Sequence, residues 1–428
     1  MSFFGSSGIR EKVSLDFFAL SFKVGLALGS SHTSAVVGWD TRTSSDALRH
    51  IITSGILLSG AQVYEAGVVP TPTLAFASRN FSCGVMLTAS HNPPEYNGIK
   101  ILNPDGSAFD SRQRLEIEQL VSQNSLNITS WDKIKASLIY SNAIEEHIEH
   151  ILHYFPPLKL KVIIDCGSGA TSLAAPYLLK RLGCEVIAIN SYPSGYFPRG
   201  MEPIPENLSA LMKTVKAEKA SLGIAYDGDG DRMMVIDEEG KFIPGDKLLA
   251  IFAQSLKARR IITTVDASML VEELDFEVER TKVGDPFVSE ELKRGGGEFG
   301  GEPSGCWVFP QVSLCPDGLY ASAKILQIAA ERKLSKLASE IPSYPLFRGS
   351  VLGRNLKLAE IEKKLKNLNP LSINTKDGLR LSFKDGWLLI RPSGTEPKVR
   401  VTAEAKSVKR AKELYNIGIK VVNESLRG

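Results

Sequence analysis

The stretch DGDGDR, Asp227 to Arg232, sets three carboxylates at alternate positions in a loop with two glycines. Glycine lets a backbone fold around an ion without a side-chain clash, so Asp227, Asp229 and Asp231 can converge oxygens on one hard cation, for which Mg²⁺ is the natural occupant. With Glu238 these residues also match positions 1, 3, 5 and 12 of a calcium EF-hand loop. That reading fails because position 6 is Arg232, where the loop needs glycine, and because the flanking LGIAY and MMVID read as strands. A solvated acidic turn is the weaker alternative, since three close carboxylates repel unless a cation neutralises them.

A second stretch, TASHNPPEYNGIK at 88–100, follows the apolar strand-like CGVML. Ser90 therefore falls in a loop at the end of a strand, where α/β proteins tend to place ligands, and Asn92, Pro93 and Pro94 stiffen that loop. A serine hydroxyl needs a base or an electrophilic partner to act as a nucleophile, and His91 and Lys100 are the candidates. An Asn-Pro turn without chemistry is the competing reading, and the Ser-His dipeptide taken alone favours it. In RPSGTEPKVR, Arg391, Ser393, Gly394 and Thr395 offer a guanidinium, two hydroxyls and unhindered N–H groups, which suits either a phosphate cradle or a Pro/Gly hairpin. GGEPSGC puts Glu302 and Ser304 where they can hydrogen-bond sugar hydroxyls, and TKVGDP offers Lys282 to an anion.

Alternating strands and helices must carry these loops. KVIIDC reads as a buried strand, SLAAPYLLKRLG as a helix stopped by Gly183, and EVIAIN as another buried strand. The same alternation recurs at AVVGWDTR with DALRHIITSGILLSG and at RRIITTVDASMLVEEL, which predicts three α/β segments. The short strands LRLSF, GWLLIR and KVRVTAEA, followed by the amphipathic SVKRAKELYNIGIKVVNESL, predict a smaller α+β domain at the end. Joints are expected near Tyr140 to Glu145, near Glu239 to Gly245 and across IPSYPLFRG. CGSGATS half resembles a dinucleotide fingerprint, but Ser172 replaces its last glycine and no acid ends EVIAIN, so it reads as a structural turn. No P-loop motif occurs. His147, His150 and His153 lie along one helical side and read as a solvated face.

The 428 residues have an ordinary globular composition, 43% hydrophobic and 23% charged, with a net charge of +3. No dense basic run with interleaved aromatics is present, so a nucleic-acid partner is not expected. The opening MSFFGSSGIREKVSLDF lacks the pattern of a secretory signal, and no uncharged apolar run is long enough for a membrane span; the expected compartment is the cytoplasm. The five cysteines are scattered without C-x-x-C spacing, so free thiols and no structural zinc are expected.

Taken in order, the four loops resemble those of the α-D-phosphohexomutase family, which moves phosphate between the 1- and 6-positions of a hexose. The resemblance runs from FFGSSGIR through GWDTR and PTPTLAFA to RPSGTEPKVR. It implies three related α/β domains with mixed sheets plus a C-terminal α+β domain, with the active site in the central cleft. The implied boundaries are 1–141 for the phosphoserine-loop domain, 142–239 for the Mg²⁺-loop domain, 240–342 for the sugar-loop domain and 343–428 for the phosphate-loop domain. It also implies that Ser90 is the phosphoserine and completes a Mg²⁺ site with Asp227, Asp229 and Asp231. Arg232 and Lys282 would touch phosphates, and His91 and Lys100 would help with proton transfer. Glu302 and Ser304 would read sugar hydroxyls, while Arg391, Ser393, Gly394 and Thr395 would clamp the non-reacting phosphate. Arg10 and Arg42 match family arginines near the phosphoserine loop.

By the same resemblance a hexose 1,6-bisphosphate activates the enzyme by phosphorylating Ser90, the partner is a phosphosugar, and a homo-oligomer is open. The GEPSG form is similar to archaeal phosphoglucosamine mutases, which puts glucosamine phosphate first and mannose or glucose phosphate second. Cys306 departs from the pattern, where many relatives have histidine, as do Trp39 and Glu11. Two other functions compete: a Mg²⁺-dependent sugar phosphatase using Ser90 as acceptor, and a non-catalytic sugar-phosphate sensor.

Overall fold

The computed structural model describes residues 3–122, 128–353, 356–393 and 397–427. Four sheets follow one another along the chain. The first takes the strands in the order Ile9–Lys12, Tyr96–Leu102, Cys83–Leu87, Ser34–Trp39, Gln62–Val68 and Leu138–Ile139. The second runs Phe242–Ile243, Met233–Ile236, Leu222–Tyr226, Lys161–Asp165 and Glu185–Ile189, and the third Glu277–Thr281, Arg260–Thr264, Phe299–Glu302 and Cys306–Val308. The fourth is wholly antiparallel: Leu346–Leu352, Lys398–Ala405, Gly386–Pro392, Leu379–Phe383 and Ser372–Asn374.

Each of the first three sheets contains the same four-strand unit: three parallel strands, and one antiparallel strand beside the last of them in sequence. The connection between that last parallel strand and its antiparallel neighbour is the Ser90 loop in the first sheet, DGDGDR in the second and PSG at 303–305 in the third. In the fourth, the loop after Arg391 likewise joins two adjacent antiparallel strands, Gly386–Pro392 and Lys398–Ala405. Each of these loops in the first three sheets is held at both ends by one ladder of hydrogen bonds, so its few residues have little freedom to wander.

The cores explain how the sheets hold together. One cluster fills the first sheet, around Val37, Ile52, Val85 and Ile99. A single larger cluster runs through the second and third, from Ile164 and Tyr226 to Phe299, Trp307 and Leu326, and the Trp307 indole donates to Met233 O at 2.8 Å. The fourth sheet packs its own face against the helix Val408–Arg427.

Several local expectations change. SLAAPYLLKRLG is not one helix: a 3₁₀ turn, Ala170–Leu173, precedes the short helix Ala175–Arg181, because Pro176 has no N–H and restarts the helix at its first turn. Glu185–Ile189 is an edge strand and only half-buried. The LFRG part of the third expected joint belongs to the edge strand Leu346–Leu352. After Arg260–Thr264 the chain makes only a 3₁₀ turn, Met269–Glu273. His147 is 1% exposed and not on a solvated face, because its helix, Ala143–Leu152, is wedged against Thr71–Ala77; His153 is exposed as expected.

Gly98 shows how tightly the Ser90 loop is seated. A Cβ there would lie 2.4 Å from the Ile9 carbonyl oxygen, in the paired strand, and 2.5 Å from that of Thr88, where the Ser90 loop begins. Gly98→Ala is expected to lower the unfolding free energy by about 1–3 kcal/mol, the usual cost of overpacking, as read by denaturant melts; an unchanged midpoint would show slack in this seam.

Candidate active site

Ser90 adopts φ 52°, the left-handed region, which costs an L-residue about 1–2 kcal/mol. The loop is held there by a dense set of bonds. The Ser90 N–H donates to Thr88 Oγ1 at 2.8 Å, and Thr88 Oγ1 donates to Asp40 Oδ2 at 2.7 Å. Arg42, whose side chain is wholly buried, pairs with Asp40 at 3.0 Å and donates to the carbonyls of Ser90, Asn92, Pro93 and Tyr96 at 2.7–2.9 Å. Burial pushes the Asp40 carboxyl up, against the pull of Arg42. Arg42 thus binds the back of the loop and leaves Ser90 Oγ facing the other way, toward the second sheet.

There Ser90 Oγ donates to Asp227 Oδ2 at 2.6 Å. Asp227, Asp229 and Asp231 are all buried, with one carboxylate oxygen from each inside a common span of 4.8 Å. Three successive carbonyls of their loop are gripped by three different elements. Gly228 O accepts from Ala170 N at 2.9 Å, Asp229 O from Thr71 N at 2.8 Å, and Gly230 O from Gly318 N at 3.3 Å. Ala170 belongs to CGSGATS, which is here a structural turn backing the aspartate loop.

The charges make this a cation site in chemical character. Burial and the neighbouring carboxylates of Asp231 and Asp229 push Asp227 well above the carboxylate range. Asp231 is raised by burial and by Asp229, while Asp229 is held low, its burial outweighed by Lys100 and the Thr71 hydroxyl. Lys100 donates to Asp229 Oδ2 at 2.7 Å and to Asp231 Oδ2. Its own burial disfavours the ammonium, yet the two aspartates raise its pKa above the ordinary value, so it stays charged. Asp229 Oδ1 and Asp231 Oδ1 remain buried without a hydrogen-bond partner. Unsatisfied acid oxygens facing one another are what a hard divalent cation relieves.

Arg232 and His91 flank this centre. Arg232 pairs with Glu202 at 3.2 Å, and its backbone bridges to Cys306 of the third sheet. His91 Nδ1 lies 3.3 Å from Ser90 Oγ, and Arg232, burial and Arg10 push its imidazole down to about 2, so it is neutral. Arg10 donates to Asn92 Oδ1 at 3.3 Å. In the third sheet, Glu302 accepts from Gly284 N at 2.6 Å and from Ser304 Oγ at 3.0 Å. Burial, then the nearby Asp285 and Asp266, push its carboxyl up to about 7. Lys282 is exposed, its ammonium 5.6 Å from the Phe287 ring centre, and makes no ion pair with the other candidates.

Arg391 lies apart from this centre, on the fourth sheet. It lines a cavity of about 310 Å³ with Arg348, Lys398, Arg400, Ser350 and Thr402. Ser393 N donates to Lys398 O at 2.8 Å; Gly394 and Thr395 lie outside the described residues. Asp377 Oδ2 links this loop to the third sheet, accepting from Arg391 Nη1 at 3.1 Å and from Val283 N at 3.0 Å. Asp377 was not legible in the sequence, because KDGLR reads simply as a hairpin turn. Thr71 was in view within PTPTLAFA but carried no local sign of its bond to Asp229.

Comparison with known proteins follows the same four-part division. Descriptions of phosphoglucomutase/phosphomannomutase alpha/beta/alpha domains I, II and III match residues 1–127, 140–240 and 244–344, and that of the C-terminal domain matches 352–416. The chain belongs to the phosphoglucomutase/phosphomannomutase family. A probable phosphoglucosamine mutase of Methanosarcina acetivorans is 47% identical to it, with 100% of each chain covered. The phosphoglucosamine mutase of Methanocaldococcus jannaschii is 41% identical over 99% of this chain and 98% of its own. Among solved structures, a phosphoglucomutase/phosphomannomutase family protein from Burkholderia thailandensis superposes with a TM-score of 0.88 at 27% identity, covering 100% and 98% of the two chains. The chain is an enzyme of this family of phosphohexomutases. None of its helices, among the described residues, is long and apolar enough to cross a membrane.

Glu302 gives this site a pH signature. A carboxyl raised from 4.5 unfolded to about 7 folded binds its proton more tightly in the native state, so its share of stability is full below 4.5 and is lost as pH rises through about 7. Glu302→Gln is expected to remove a fall of about one proton in the stability slope across that window, measured by denaturant melts at stepped pH. An identical slope in the variant would place the ionisation elsewhere.

Proposed function

We propose that this enzyme interconverts glucosamine 6-phosphate and glucosamine 1-phosphate through a phosphoserine at Ser90 and a 1,6-bisphosphate intermediate. The observation that carries the reading is Ser90 Oγ at 2.6 Å from Asp227, within a triplet of buried aspartates. A Mg²⁺ held by Asp227, Asp229 and Asp231 would supply the positive charge that phosphoryl transfer needs on its equatorial oxygens. The choice of amino sugar rests on relatives, since the two archaeal proteins above carry the name phosphoglucosamine mutase. Domain boundaries at 1–141, 142–239, 240–342 and 343–428 are part of the same proposal.

In the first half-reaction the Ser90 O–P bond breaks as a bond forms from phosphorus to a substrate hydroxyl, whose proton is lost while the serine oxygen regains one. His91 is placed to carry that proton. A phosphoryl group on Ser90 counters the charges of Arg232 and Arg10, so the proton affinity of the imidazole rises when it is needed. Lys100, locked to two aspartates, acts as fixed positive charge rather than as a base. Arg232 steadies the moving phosphoryl. Glu302 and Ser304 hold sugar hydroxyls, and Arg391, Ser393, Gly394 and Thr395, with Lys282, hold the phosphate that does not react. The bisphosphate then turns end for end and returns its other phosphoryl to Ser90. A free hexose 1,6-bisphosphate would recharge Ser90 after any loss.

A coupled assay with Mg²⁺ and a trace of hexose 1,6-bisphosphate tests the reading on glucosamine, mannose and glucose phosphates. Glucosamine phosphate is expected to be turned over fastest; isomerisation of none of the three rejects the reading. Phosphate release without isomer formation would point to a phosphatase, and sugar-phosphate binding with no turnover in the parent to a sensor. Ser90→Ala is expected to lower turnover by orders of magnitude, and intact-mass spectrometry should find one phosphate on part of the parent protein and none on the variant.

A further inference from the structure

Thr73, His147 and Asp317 form a buried chain that no step above uses. His147 Nδ1 lies 3.0 Å from Thr73 Oγ1, and His147 Nε2 lies 3.1 Å from Asp317 Oδ2. The three residues are 0%, 1% and 2% exposed. The tautomer with its proton on Nε2 donates to Asp317 Oδ2 and leaves Nδ1 to accept from the Thr73 hydroxyl. The ring also stacks on Phe76, with centres 5.1 Å apart.

What His147 joins gives the chain its meaning. Thr73 stands in the first turn of the helix Thr71–Ala77, whose Thr71 grips Asp229 twice, by N–H to its carbonyl at 2.8 Å and by hydroxyl to Oδ2. Asp317 is the N-cap of the helix Gly318–Glu331; its Oδ1 accepts from Leu319 N and Tyr320 N at 2.9 Å, while its Oδ2 is given to His147. The first residue of that helix, Gly318, donates to Gly230 O, and a Cβ on it would lie 2.6 Å from that oxygen. The two helix starts therefore press on adjacent peptides of the aspartate loop. They belong to the first and third family domains, and His147, in Ala143–Leu152 of the second, is the only residue hydrogen-bonded to both among the described residues.

We propose that His147 is a positioning residue for the aspartate triplet: it ties two helix starts from separate domains into one clamp that fixes Asp229 and Gly230 for cation binding. The proposal rests on the reading of the triplet as a divalent-cation site. Supports of this kind, one step removed from the ligands, typically change metal affinity 10–100-fold when lost. His147→Phe keeps the ring volume and the stack on Phe76 but loses both hydrogen bonds. His147→Gln can restore both, its amide N–H donating to Asp317 and its carbonyl accepting from Thr73.

The test is Mn²⁺ titration of the full chain by electron paramagnetic resonance, beside kcat, KM and melting temperature. His147→Phe is expected to weaken Mn²⁺ binding about tenfold and to lower kcat, with the sugar-phosphate KM nearly unchanged, and His147→Gln to recover most of both. Should His147→Phe fail to fold, Thr73→Val, which removes one of the two bonds, is expected to weaken Mn²⁺ binding in the same direction by a smaller factor. A lower melting temperature with unchanged Mn²⁺ affinity, or a rise in KM alone, overturns the proposal. Mn²⁺ binding that is absent from the parent, or indifferent to Asp227→Asn, overturns the cation site itself and this inference with it, so the two failures are told apart.

Discussion

Three buried carboxylates within 4.8 Å of one another impose the constraint around which this molecule is built. Away from water such charges are expensive unless cations meet them, and the penalty falls on every residue that holds them there. Part of the compensation comes from Lys100 of the first sheet, and part from Arg232 at the end of the aspartate loop itself. The first and second sheets cannot separate without stranding this charge. Beside the Lys100 contacts that join them, Ser90 meets Asp227 across the same seam.

The repeated four-strand unit explains how three domains serve one centre. In each, a parallel strand hands the chain to an antiparallel neighbour through a short loop, and it is this loop that carries the polar residues. A parallel strand would need a long crossover at that point, whereas the antiparallel return keeps the loop short and pinned at both ends. Facing three such loops toward one another requires little more than docking three similar bodies. The core shared by the second and third sheets does part of this, and hydrogen bonds from Thr71 and Gly318 to successive carbonyls of the aspartate loop add to the Lys100 and Ser90 contacts.

The fourth sheet stands in a different relation. One face packs on its own helix; the other buries Trp387 and Leu389 against Val265 and Met269 of the third domain and presents Arg348, Arg391, Lys398 and Arg400 around a cavity. Asp377 ties Arg391 to the backbone of Val283, next to Lys282, and so links the fourth domain to the third.

How much of this was readable beforehand depends on whether the signal was local. DGDGDR pointed to a cation because three acids at alternate positions repel without one, and the fold does bring the three carboxylates together; LGIAY and MMVI are strands on either side, as read. Ser90 as a dipeptide read more readily as a turn, since a turn and a nucleophile use the same residues, and only the four loops in order, through family resemblance, implied a phosphoserine there. Of the histidines at 147, 150 and 153, His147 misled, because helical spacing describes a face and says nothing of what covers it. Pairings separated by long stretches of chain, such as Ser90 with Asp227, Thr71 with Asp229 or His147 with Asp317, leave no trace in either partner's neighbourhood. Residue types and loop chemistry were therefore determined by the sequence alone, through short-range sterics and charge. Which side chains meet, and which are buried unpaired, was decided only when the sheets docked, because burial and electrostatic compensation belong to the packed interior and not to the local chain.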